Sequence, residues 1–279
     1  MEVDQLILSG GGVLGYSYIG ILKYFEENGI IRNVKNIVGC SAGAIFGSLI
    51  AFGYTSDELY TALISINPQD YFNITLDDIL KFPITKGLDD CGLVMDKIKE
   101  LIGVKTLNPN ITFMEMWEKT GIKLEIGATN INTMKFELCN YITMPDIPIY
   151  MAIHASIAIP LLIKPVKIGD YYYCDGGVSN NYPINKIEKR KCLGIYLTNT
   201  PIDHSNPENM TIAEYIEKIT KCATQIVNTL DSNRHNTIRI EIPRNLLTSM
   251  KFIMNRSEIN KCIKYGYDEI KNNMANYIA

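Results

Sequence analysis

The residues of this 279-residue chain best suited to chemistry lie in three short stretches. The first is "LILSGGGVLGYSYIG", Leu6 to Gly20, where an apolar strand meets Gly10, Gly11 and Gly12 and an amphipathic segment follows. Glycine leaves backbone amides bare, and bare amides hold negative charge. That charge is either a nucleotide phosphate or an oxyanion that exists only during a reaction. The second stretch is Gly39-Cys40-Ser41-Ala42-Gly43, a G-x-S-x-G between a short strand and a helix. A serine on so sharp a turn is strained, small neighbours let the backbone pass, and the following helix adds its dipole. The third is Asp175-Gly176-Gly177, directly after a tyrosine-rich strand. Alone, Asp-Gly-Gly is ordinary turn chemistry. Together the three supply an amide cradle, a strained hydroxyl and a carboxylate.

Other chemistries must be weighed against this set. Gly10 to Gly15 also reads G-x-G-x-x-G after a strand and before a helix, the dinucleotide fingerprint. That fingerprint expects an acid about 20 positions on, at the end of the next strand. Here the strand ends Val38-Gly39-Cys40-Ser41, without one. No Gly-Lys-Ser/Thr follows the glycines, so a P-loop is excluded. Serine hydrolases usually use histidine as the base. His154 lies in an apolar helical stretch and reads as a packed residue, while His204 and His235 would fit the Ser…Asp…His order of an α/β-hydrolase. No His/Cys/carboxylate cluster has ligand spacing, so neither a metal nor another cofactor is expected.

The elements that must position these residues follow from periodicity and turn signals. A strand is expected at Gln5–Leu8 and a helix at about Tyr16–Asn28, with Ile19, Leu22 and Phe25 on one face. A strand at Asn36–Val38 leads into the serine motif, a helix runs from Ala44 to about Phe52, and Ser56 is the expected cap of another. Asp96–Ile102 reads as helix, and Thr112 with Glu115 as a capping box. Lys123–Ala128 and Lys135–Cys139 alternate like paired strands, and a helix covers about Pro148 to Ile157. Val166–Ile168 and Tyr171–Cys174 form a hairpin about Gly169-Asp170. Leu193–Leu197 is a strand, Thr211 and Glu214 open a helix to about Leu230, Arg239–Ile242 is a late strand, and Ser257–Tyr277 a final helix. The alternation places the chain in the α/β class, a three-layer sandwich with a mostly parallel central sheet and helices on both faces.

Composition narrows the setting. The apolar share is 47%, the charged share 20% and the formal net charge −3, so no basic field invites nucleic acid. Seven cysteines, an odd count without a CxxC pair, favour a reduced, cytoplasmic-type compartment. Cys40 and Cys174 each precede a candidate reactive residue; buried packing is favoured there over a redox role. No signal peptide is evident, and no segment supplies the roughly 20 apolar residues of a transmembrane helix. Apolar segments near Phe72–Phe82 and Ile142–Ile149 are candidates for a lid or a membrane-contacting rim, or equally for core.

With "GGGVLG", "GCSAG" and "DGG" in this order, and the stretch "HASIAIPLLIKPV…YYYCDGGVSNNYPI", the chain resembles the patatin-like phospholipase family from about Val3 to Leu197. One departure is Leu14, where many members carry Arg or Lys. The resemblance implies a Ser–Asp dyad: Ser41 as nucleophile, Asp175 as general base, amides of Gly10, Gly11 and Gly12 as oxyanion hole, and Gly15, Gly39, Gly43, Gly176 and Gly177 as motif glycines. It implies a lipid acyl hydrolase of the phospholipase A type, acting on lipid at a membrane or droplet surface, with residues 3–197 as the catalytic core and 198–279 as a mostly helical extension packed on it. An esterase with a histidine base, or a non-catalytic lipid- or nucleotide-binding module, remains the alternative.

Overall fold

A computed structural model describes residues 3–64, 75–186, 191–199, 237–243 and 254–278, with isolated positions between 208 and 222. The first half runs β1 (Gln5–Leu8), α1 (Ser17–Glu27), β2 (Asn36–Cys40), α2 (Ala42–Ala51), α3 (Ser56–Ile64), α4 (Leu76–Thr85), β3 (Gly87–Asp89), α5 (Gly92–Thr106) and α6 (Phe113–Thr120). The second runs β4 (Lys123–Asn130), β5 (Lys135–Cys139), α7 (Ile149–Ile157), β6 (Leu161–Ile163), β7 (Val166–Ile168), β8 (Tyr171–Asp175), β9 (Cys192–Asn199), β10 (Thr237–Ile242) and α8 (Arg256–Ile278). The helix expected from Thr211 to Leu230 lies, isolated positions apart, outside the described residues.

The main sheet has the order β10-β9-β1-β2-β4-β8-β7, with β5 on the other edge of β4. Strands β10, β9, β1, β2 and β4 are mutually parallel, as the alternation of strands and helices requires. Beyond them β4 pairs antiparallel with β5 and β8, and β8 with β7, so the sheet as a whole is mixed. The architecture is three-layer α/β. Leu6, Leu8, Ile37, Leu193 and Ile195 face one buried cluster with Tyr18, Leu22, Phe25, Leu49, Ile259 and Ile270, from α1, α2 and α8. Ile7, Val38 and Cys192 face the opposite side, against Tyr182 and Ile184. This is the two-residue alternation of a strand buried on both faces.

Local signals account for most element ends. Thr112 and Glu115 form the expected reciprocal cap of α6. At α3 the cap is Thr55, one residue before the expected Ser56. Thr55 Oγ1 accepts from Glu58 N, and Glu58 Oε2 accepts from Thr55 N. Ser56 already belongs to the first turn, and its hydroxyl donates to Glu26 instead. Of the two candidate rim segments, Phe72 lies outside the described residues. None of α4 is buried, and Leu76, Ile79, Leu80 and Ile84 form an exposed apolar stripe. Ile142 is exposed, whereas Ile149 is in the core.

Candidate active site

The serine motif is set by the junction of β2 and α2. Ser41 is the single residue between them, with φ 51° and ψ −122°. A side chain in that region costs about 1–3 kcal/mol and persists only where its surroundings hold it. The flanking glycines show how tightly the turn is wedged. A Cβ on Gly39 would come within 2.2 Å of Gly43 O, and one on Gly43 within 2.3 Å of Leu8 O. The Ser41 N–H is fixed by Ser156, a fully buried residue of α7, whose Oγ accepts it at 2.8 Å and donates in turn to Gly127 O at 2.6 Å.

The Ser41 hydroxyl donates to Asp175 Oδ2 at 2.7 Å. Asp175 closes β8 and is 6% exposed. Its Oδ1 accepts from Gly177 N at 2.7 Å, so the Asp-Gly-Gly turn orients the carboxylate from its own backbone. The residue is held at both backbone ends: its N–H donates to Ala158 O, and its carbonyl accepts from Thr129 Oγ1. Gly176 lies against Gly127 O and Cys40 Sγ, where a Cβ would be 2.5 and 2.7 Å away.

The register explains why the two side chains meet. On β4, Gly127 is opposite Cys40 of β2, and Ala128 is opposite Asp175 of β8. Because β5 occupies the other edge of β4 over these residues, β2 and β8 lie on the same edge and run head-on into each other. Ser41 and Asp175 are what the two strands present at the collision.

The glycine loop borders the same spot. At Gly10 a Cβ would lie 3.0 Å from Ser41 Cβ and 2.1 Å from Asn181 Oδ1. Asn181 clamps the loop: its carbonyl accepts from Gly10 N at 3.0 Å, and its Nδ2 donates to Gly10 O at 3.2 Å. The Gly10 N–H is therefore committed. The N–H groups of Gly11 and Gly12 have no partner among the described residues. Gly12, at φ +53°, opens a 3-10 turn from Gly12 to Tyr16, and Gly15 within it abuts Ala42 and Phe46 of α2.

Sequence reasoning named Ser41, Asp175 and the glycines as candidates, and the structure places Asp175 and Gly10 both against Ser41. It missed Ser156 and Asn181. The available signals were a lone serine in the apolar run of α7 and the paired asparagines after Asp-Gly-Gly. Of the histidines, His204 and His235 lie outside the described residues. His154 is on α7 with Nε2 unpartnered among the described residues, and burial lowers its pKa. The thiols beside the site are buried. Burial, then the Asp175 charge, pushes Cys174 up to about 12 and Cys40 well above its ordinary value. Among the described residues no three His, Cys, Asp or Glu side chains are grouped to hold a metal ion, and no helix is long and apolar enough to cross a membrane.

Comparison with known proteins bears on this arrangement. The probable lipid hydrolase 463L of Invertebrate iridescent virus 6 is 32% identical over 195 residues, 67% of this chain and 66% of the relative, so the match spans just under two thirds of that protein. The triacylglycerol lipase ptl3 of Schizosaccharomyces pombe is 25% identical over 207 residues, 65% of this chain and 41% of the lipase. The crystal structure of VipD from Legionella pneumophila superposes with a TM-score of 0.62 at 18% identity, over 99% of this chain and 67% of that one, which supports the fold. The family model described as patatin-like phospholipase matches residues 6–186, from β1 through the Ser41 and Asp175 motifs. On that match the chain belongs to the patatin-like phospholipase family.

Proposed function

We propose that this protein is a lipid acyl hydrolase that cleaves carboxylic esters with Ser41 as nucleophile and Asp175 as base. One observation carries the reading: a strained serine at a strand-to-helix turn donates its one hydroxyl proton to a buried carboxylate 2.7 Å away. A bland helix start would need neither the strain nor the pairing. The names of the relatives, a lipid hydrolase and a triacylglycerol lipase, support lipid esters as the substrate class.

The geometry supports the following steps. Ser41 Oγ attacks the ester carbonyl carbon as its proton passes to Asp175 Oδ2. The carbonyl oxygen takes up the negative charge and is received by the amides of Gly11 and Gly12, helped by the N-terminus of α2. Collapse of the intermediate breaks the bond to the alcohol, which leaves with the proton from Asp175. Water then attacks the acyl-serine and gives its proton to Asp175, and the acid departs as Oγ recovers a proton. One oxyanion donor contributes about 3 kcal/mol in comparable sites.

The test is product analysis of a mixed lipid extract by mass spectrometry, comparing the native chain with Ser41→Ala, together with labelling by a fluorophosphonate. Released fatty acid and lysolipid or diglyceride, and label lost in Ser41→Ala, are expected. A native chain that neither labels nor releases fatty acid would overturn the proposal.

A further inference from the structure

The hairpins β4–β5 and β7–β8 extend past the site and end together. Asn130 pairs with Lys135, so residues 131–134 turn at the far end of β4; Asn130 also pairs with Tyr173, which puts Tyr171 and Tyr172 at the same end. The two tips are bonded to each other: Ile131 N donates to Tyr172 O, and Tyr172 N donates to Asn132 Oδ1. On this joined tip Ile131, Met134, Tyr171 and Tyr172 are 44%, 86%, 48% and 45% exposed. Lys135 and Lys167 flank them, also exposed, with Lys167 Nζ 5.9 Å from the centre of the Tyr172 ring. Met134 has φ +55°, a left-handed position where Asn or Gly is the unstrained choice. A residue that is strained and almost bare contributes little to folding.

The geometry points to this tip as the part of the protein that enters a lipid interface, an inference that rests on the proposed lipid-ester activity. The composition argues for lipid over another protein. Aliphatic and tyrosine side chains on a projecting tip, with lysines at the level below, match what partitions into the headgroup boundary, the lysines reaching back to phosphate. Lys135 and Lys167 are balanced by Asp170 and by Glu137, whose Oε1 accepts from Asn130 and Thr133 of the β4–β5 tip, so the apolar side chains rather than net charge carry the attachment. The spacing agrees. Ile131 lies three residues beyond Ala128, the level of Asp175, hence about 10 Å further along the strand. Apolar groups at an interface sink about 5–10 Å into the headgroup–acyl boundary. A tip inserted to that depth brings Ser41 to the layer where the ester bonds of a lipid lie.

The test uses the full chain carrying Ser41→Ala, so that binding is read without hydrolysis. Sedimentation with phosphatidylcholine vesicles, with and without an anionic phospholipid, is compared for this parent and for the added triple change Met134→Gly, Tyr171→Ser and Tyr172→Ser. Loss of vesicle affinity by about tenfold or more is expected, with no fall in thermal midpoint, because Met134→Gly removes the left-handed strain. With Ser41 restored, the triple variant should hydrolyse a soluble short-chain ester at the native rate and vesicle lipid more slowly. Vesicle binding equal to the parent's overturns the inference. So does binding lost in Leu76→Ser/Leu80→Ser of α4 but kept in the tip variant. A tip variant that only turns a dimer into a monomer by light scattering overturns it in favour of a contact between copies. Tip-dependent binding by a chain that hydrolyses no ester supports the docking surface and removes the hydrolase reading, so the two failures are separable.

Discussion

Cys40 and Asp175 occupy successive positions on one edge of β4, opposite Gly127 and Ala128, although they belong to strands that run in opposite directions. The hydrogen-bonded pair Ser41–Asp175 is therefore built into a sheet register, which is stiffer than a contact between loops. Ser156 crosses this junction, joining the Ser41 N–H to Gly127 O. The site depends on a short segment of β4 that carries no reactive group itself.

Replacing Asp175 by Asn keeps the size of the side chain and removes the base. General-base loss costs about a hundredfold to ten-thousandfold in rate. Steady-state kinetics on a soluble ester should show that fall in kcat with a similar KM. His204→Ala and His235→Ala should leave kcat near the native value; a loss of activity in either would favour a histidine base.

Ser41→Gly should abolish activity and raise stability. Glycine adopts φ 51° without the cost borne by serine. A gain of about 1 kcal/mol, a few degrees in thermal midpoint for a chain of this size, is expected. Ser41→Ala, which keeps a Cβ in the strained position, should lack the gain. Calorimetry of the two variants checks the difference.

Ser156→Ala leaves the Ser41 N–H and the Gly127 carbonyl without their buried partner. The expected loss is about 1–3 kcal/mol by denaturant unfolding. Fluorophosphonate labelling should also slow at temperatures where the variant remains folded, because the turn that aims the hydroxyl has lost its anchor. Normal labelling would confine Ser156 to a structural role.

Gly10→Ala places a methyl group 2.1 Å from Asn181 Oδ1. It should inactivate the protein by displacing the loop from Ser41. Truncating the obstacle in Gly10→Ala/Asn181→Gly should recover part of the loss. A double-mutant cycle on kcat/KM would then show coupling between the two positions; additive losses would mean that Asn181 does not set the loop.

The buried thiols give an alkaline limit to stability. Burial raises Cys91, Cys139, Cys174 and Cys262 from an ordinary 9.0 to about 12. The unfolded chain thus releases these protons near 9 while the folded chain keeps them. Above that pH the unfolded state binds fewer protons, and stability falls as pH rises from about 9 towards 12; below 9 the groups contribute no slope. Thermal midpoints should be level between about pH 7 and 8 and decline above 9. At neutral pH, alkylation followed by mass spectrometry should mark the exposed Cys222 before Cys40 or Cys174.

The sequence by itself determined whatever depends on neighbours in the chain. Strand β1, the capping box of α6, the β7–β8 hairpin and the strained turn at Ser41 are written in local spacing, because helix caps, turns and alternation involve residues a few positions apart. It also supplied the residue types of the site. The tertiary structure decided what depends on separation. Ser41 and Asp175 stand 134 residues apart and meet because β4 offers one edge to two opposed strands. Ser156 and Asn181 left only faint local signals, a serine in an apolar run and an asparagine pair, since a hydroxyl or amide that bonds to a distant backbone looks in sequence like any other polar residue. The commitment of Gly10 N–H to Asn181 is likewise fixed by packing, because all three glycines are chemically identical until the fold gives one of them a partner.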